Sequence, residues 1–129
     1  MTDAPSDLMA KAEGLARRAL QWDAAYCAVV GIAIAAFATA IEHQLGMSAW
    51  IVATIGIGAV GWSGFLAWLA RHRDWRRSAG IAATANAAAA VAVGYWAVTR
   101  GGSGGIILGV LALQIGGFGV VEAWALVDR

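Results

Sequence analysis

The sequence predicts an all-α integral membrane protein: a four-helix bundle made of two tandem helical hairpins, preceded by an N-terminal amphipathic interfacial helix. Three observations predict it. Of the 129 residues 60% are hydrophobic and only 13% charged, and the mean hydropathy is +0.69, a balance foreign to soluble domains. Four apolar runs follow one another, each close to the roughly 20 residues that cross a bilayer core of about 30 Å. The basic residues are segregated, with Arg71-His72-Arg73-Asp74-Trp75-Arg76-Arg77 lying between the second and third runs. That loop marks the midpoint of the chain and sets which way it faces.

Residues 1–21 form the first element. Ser6 can cap a helix, and Leu8, Ala12, Leu15 and Ala19 recur at three- and four-residue spacing while Lys11, Arg17 and Arg18 take other faces. Such a helix is expected to lie on the cytoplasmic surface of the bilayer, its Arg side chains meeting anionic head groups; docking to a partner protein is the alternative. Asp3, Asp7 and Glu13 interrupt any signal-peptide pattern, so the first span is expected to remain as an anchor.

Residues 22–129 carry the spans, expected over 22–41, 49–70, 79–98 and 106–127. Helices are the expected form, since an unpaired backbone in lipid is costly and strictly alternating strands are absent. Trp22, Trp50, Trp75 and Trp96 fall near span ends, where amphipathic rings settle. Lys11, Arg17, Arg18, Arg71, Arg73, Arg76, Arg77 and Arg129 fall on one side and Arg100 on the other. The excess places both termini and the central loop in the cytoplasm, and the expected location is the inner (plasma) membrane. The connections 42–48 and 99–105 are short, so each pair of spans is a tight hairpin.

The halves resemble each other faintly. Arg17-Arg18 precedes the first hairpin and Arg76-Arg77 the second, while Gly61 with Ala67-Trp68 is echoed by Gly117 with Ala123-Trp124. Two spans per half would make this a parallel repeat about the membrane normal. Small residues supply the packing surface lipid cannot: Gly56, Gly58, Gly61 and Gly64 in the second span, Ala87 to Ala90 in the third, and Gly101, Gly105, Gly109, Gly116, Gly117 and Gly119 toward the end. This surface exceeds what one compact bundle needs. A homo-oligomer, or a complex with another membrane protein, is expected, with membrane lipids as the other partner.

Ionisable residues at membrane depth are the candidate site. Glu122 lies about five residues from the end of the fourth span, about 7 to 8 Å deep at 1.5 Å per residue. Asp23 opens the first span from the same side, and Asn86 sits about seven residues into the third. Asp23, Asn86, Gln114 and Glu122 are expected as one intramembrane polar cluster, with Arg18, Arg71 or Arg76 as interfacial partners. As structure the cluster supplies interhelical hydrogen bonds; as function, a desolvated carboxylate would load and release a proton or cation. Arg17, Arg18, Arg71, Arg73, Arg76 and Arg77 form the basic, headgroup-facing set.

No catalytic, metal or nucleotide motif is present, and neither enzyme activity nor a cofactor is expected. Cys27 is single, so no intrachain disulfide or Cys-x-x-Cys pair can form, and it reads as a small buried hydrophobe. Glu42 with His43 offers two metal ligands without a third, and His43 and His72 fall on opposite sides of the membrane, which excludes one haem held by both. The basic cluster is short and borders apolar spans, which argues against nucleic acid.

Asp23-Ala24, Leu45-Gly46, Trp68 with Arg71, Asn86, Gln114 and Glu122, in that order over residues 18–126, resemble uncharacterised small four-span integral membrane proteins of actinobacteria and proteobacteria. The resemblance implies a four-helix bundle in which Asp23, Asn86 and Glu122 matter, and it brings no activity; Gln21-Trp22 lengthens the approach to the first span. Small multidrug transporters differ, carrying a Glu deep in the first span. The leading expectation is a non-enzymatic accessory or scaffold subunit that oligomerises or docks to another membrane protein. The alternative is a small channel or transporter working as a homo-oligomer around the polar cluster.

Overall fold

In the computed structural model, which describes residues 4–127, the chain forms five helices: α1 (Ala4–Ala36), α2 (Ala38–Leu45), α3 (Ala49–Leu69), α4 (Trp75–Arg100) and α5 (Gly102–Val127). Among the described residues there is no strand. Four helices are long and apolar enough to cross a membrane: Ser6–Ala36 within α1, then α3, α4 and α5, which makes this a multi-pass membrane protein by length and composition. Met1 to Asp3 and Arg129, the last used above in counting charge, lie outside the described residues.

The amphipathic N-terminal segment is not a separate element. It is the first half of α1, which passes residues 21 and 22 without a break. The reason is visible on one face: Ala12, Ala16, Ala19, Leu20 and Ala24 are buried in a stripe at helical spacing, so the packing that holds the span continues into the amphipathic turns. At 1.5 Å per residue α1 is about 50 Å long, and Arg17 marks where it passes the end of α3, its guanidinium donating to the Ala70 carbonyl at 2.6 Å. Beyond that level Ala12 and Ala16 pack on Trp75 and Ala79 of α4 and Ala125 of α5. The first span also ends early: Phe37 leaves helical angles at φ −102°, ψ 17°, and α2 continues as a short separate helix.

The second connection is tighter than its sequence suggested. Only Gly101 lies between α4 and α5; Gly101 and Gly102 take φ of +63° and +58°, a region open to glycine. The turn therefore costs no spacer, and both helices reach closer to it than expected. Arg100 donates from Nε to the Gln44 carbonyl at 3.1 Å and from Nη2 to the His43 carbonyl at 3.2 Å, satisfying the bare end of α2. Gly104 faces the same Gln44 carbonyl, closer than any Cβ would allow.

The α1–α3 hairpin is closed by glycine. A Cβ on Gly31 would stand 2.6 Å from the Gly56 carbonyl oxygen, and one on Gly56 would stand 2.5 Å from the Gly31 carbonyl oxygen, so the two backbones touch there. Gly58, Gly61 and Gly64 have no such neighbour and face outward. Between the hairpins the contact runs through α1, which lies against α4 and α5, whereas α3 meets α4 at few positions and scarcely meets α5. Large apolar side chains cover the outside, among them Trp50, Val98, Leu113 and Trp124.

At the basic end, Asp74 caps α4 by accepting from the Arg77 amide at 3.1 Å. The Arg76 guanidinium lies 5.2 Å from the centre of the Trp75 ring, within cation–π range. At the other end Glu42 Oε2 accepts from the Ala49 amide at 2.8 Å and so caps α3. That occupies one of the two ligands considered above for a cation; His43 Nε2 stands 3.8 Å from the other Glu42 oxygen.

Candidate functional site

Three helices bring their polar residues to one point. Asp23 lies on the buried stripe of α1, so packing that stripe takes its carboxylate inside. On α5, Gly119 precedes Glu122 by almost one turn; a Cβ there would stand 3.3 Å from Cβ of Asn86 and 3.4 Å from the Ala83 carbonyl. The glycine lets α5 approach α4 closely beside Asn86. Asn86 then sits between the two acids. Its Nδ2 donates to Asp23 Oδ2 at 2.7 Å and to Glu122 Oε2 at 3.1 Å, both good hydrogen-bond distances.

The cluster is sealed. Asp23, Asn86 and Glu122 are 1%, 4% and 0% exposed, and Leu20, Ala24, Leu66 and Ala82 pack together beside it. Cys27, one turn after Asp23, lies with its thiol 3.4 Å from Asp23 Oδ1. Glu122 Oε1 is buried without a hydrogen-bond partner. Among the described residues neither acid forms an ion pair: Arg17 pairs with Glu13 at 2.8 Å instead, and the expected Arg18, Arg71 and Arg76 stand outside the cluster. The basic set belongs to the surface at the Arg71–Arg77 end, apart from Arg17, which is spent on Glu13 and Ala70.

Gln114 does not join the cluster. It accepts a hydrogen bond from the Tyr26 hydroxyl, and Tyr26 in turn packs on Phe118 with ring centres 5.3 Å apart. This second polar pair links α1 to α5 about two turns farther from the basic end. Sequence reasoning missed Tyr26, and it read Cys27 as a buried hydrophobe where the structure leaves it half-buried with its thiol on Asp23. The available signal was their spacing from Asp23, three and four residues on, which puts them near its face of the helix.

Chemically, the arrangement joins two buried carboxylates through one buried amide. The amide holds both, each on one of its N–H groups, and so fixes α1 against α4 and α5. Among the described residues no group of three His, Cys, Asp or Glu side chains is placed to hold a metal ion. No protein-family model, curated protein or solved structure matches this chain.

Proposed function

We propose that this chain is a non-enzymatic four-span scaffold or accessory subunit of the inner (plasma) membrane, with both termini cytoplasmic, which assembles with further copies or with another membrane protein. The observation that carries this reading is the division between a sealed polar core and an uncovered smooth face. Asp23, Asn86 and Glu122 close on one another inside the bundle, where they hold the hairpins in register. Gly58, Gly61 and Gly64 of α3 meanwhile point outward with nothing against them. In lipid, small residues let a further helix approach closely. The basic loop, with Arg71, Arg73, Arg76 and Arg77 exposed, suits anionic head groups on the cytoplasmic leaflet.

The second reading is a small proton- or ion-conducting homo-oligomer. One observation favours it: Glu122 Oε1 is buried with no partner, as expected of a group that exchanges a proton. The Glu122→Gln variant separates the two readings. In a scaffold the amide replaces the acid without loss of the Asn86 contact, assembly survives and liposomes show no proton flux with either protein. Proton flux through the parent protein that disappears in Glu122→Gln, with assembly intact, would establish the second reading and overturn the first.

A further inference from the structure

Between the hairpins, on the far side of the carboxylate cluster from the basic end, lies a cavity of about 170 Å³. Tyr26 and Val30 of α1, Val52 and Ala59 of α3, Trp96 of α4 and Leu111 of α5 are among the side chains around it. It lies in the seam of the two hairpins, where α3 meets α4 at few positions and scarcely meets α5. Its surface is wholly apolar. The polar groups nearest its inner end are already engaged, Tyr26 with Gln114 and Cys27 with Asp23.

We infer that this cavity is a binding site for the end of a single lipid acyl chain. Water is a poor occupant, because a buried water needs two to four polar partners. A further helix is too wide, at about 10 Å across with its side chains. An apolar cavity of about 150 Å³ stays dry and takes a guest the size of benzene, so this one fits several methylenes and no more. Ile55 both lines the cavity and is 46% exposed, so the cavity wall and the outer surface of the bundle share that side chain. On a protein that spans a membrane that side faces hydrocarbon, and chain ends are the apolar guests present there. From Tyr26 to Ile34 the lining covers about 12 Å along α1, so the bound chain runs along the helices. The site gives the bundle a lipid-filled seam between two hairpins that the carboxylate clasp joins at one level.

The test uses the whole chain crystallised from bicelles of phosphatidylcholine with brominated acyl chains, with bromine located by anomalous scattering. The expected map shows bromine beside Trp96 and Leu111 inside the cavity at a strength at least equal to that of lipids around the outside. Ala59→Phe and, from a different helix, Val30→Phe fill the cavity and should each reduce that peak at least fivefold while the outer peaks persist. Outer peaks with an empty cavity in the parent protein would overturn the inference, as would an interior peak that neither filling variant reduces. Absence of bromine from the whole outer belt would instead sink the membrane-spanning reading on which the inference rests.

Discussion

Replacing Asn86 by Leu removes the donor shared by two buried acids and leaves the backbone untouched. Asn86 Nδ2 makes both bonds, at 2.7 Å to Asp23 and 3.1 Å to Glu122. Interhelical hydrogen bonds in membrane proteins contribute on average about 0.6 kcal/mol each and at most about 1.7. The two bonds alone are therefore worth about 1 to 3 kcal/mol. The loss is larger than that, because the cost of removing one partner is set by the two acceptor oxygens left buried without a donor, at about 1 to 3 kcal/mol for each. A total of about 2 to 6 kcal/mol is expected, a large share of the stability of a small domain. The control is Gln114→Leu, whose bond to Tyr26 lies at the exposed edge of the bundle and should cost about 1 kcal/mol or less. Unfolding of both variants by SDS titration in mixed micelles, followed by helical circular dichroism, measures the difference. If Asn86→Leu costs no more than Gln114→Leu, the clasp does not hold the hairpins together and the reasoning fails.

Gly56→Leu places a side chain against the Gly31 carbonyl and the Ala35 amide, 2.5 and 2.6 Å from its Cβ; a loss of about 1 to 3 kcal/mol in the same titration is expected. Gly61→Leu points outward, so it should change monomer stability by less than about 0.5 kcal/mol and weaken assembly, read as a shift to smaller particles by light scattering. Gly101→Ala forces a Cβ into φ +63°, ψ −172°, a conformation essentially confined to glycine, and should cost about 1 to 3 kcal/mol. For orientation, single cysteines at Arg73 and at Ser103 in a Cys27→Ala background are to be labelled in intact cells with a membrane-impermeant maleimide. Labelling at Ser103 and protection at Arg73 are expected; the reverse pattern would invert the topology.

The helices were legible because an apolar run long enough to cross a bilayer admits few other forms, and α3 begins and ends within one residue of its expected bounds. The end of α4 and the start of α5 were not, because the chain turns on a single residue where Gly101 and Gly102 both reach positive φ, and nothing in a glycine-rich run says how much of it remains helical. Asp23, Asn86 and Glu122 stood out as polar residues within apolar runs. What sequence could not supply was helix rotation. Gln114 is eight residues from Glu122, which turns it about 80° and moves it about 12 Å along α5, enough to reach Tyr26 and miss the cluster. The same ambiguity governed the glycines: of the four in α3, only Gly56 faces α1, and composition alone gave no means of choosing it. The join between the amphipathic turns and the first span was hidden for another reason. Charge at Arg17 and Arg18 signals a boundary in solvent, while the alanine stripe beneath it continues without interruption.

The mass of the complex extracted gently from its native membrane, with every co-purifying component identified, tests the proposed role most directly. A scaffold or accessory subunit predicts a particle of defined stoichiometry, either several copies of this chain or this chain with a second membrane protein, which Gly61→Leu reduces in size. A particle containing one copy of the chain with lipid alone would contradict it.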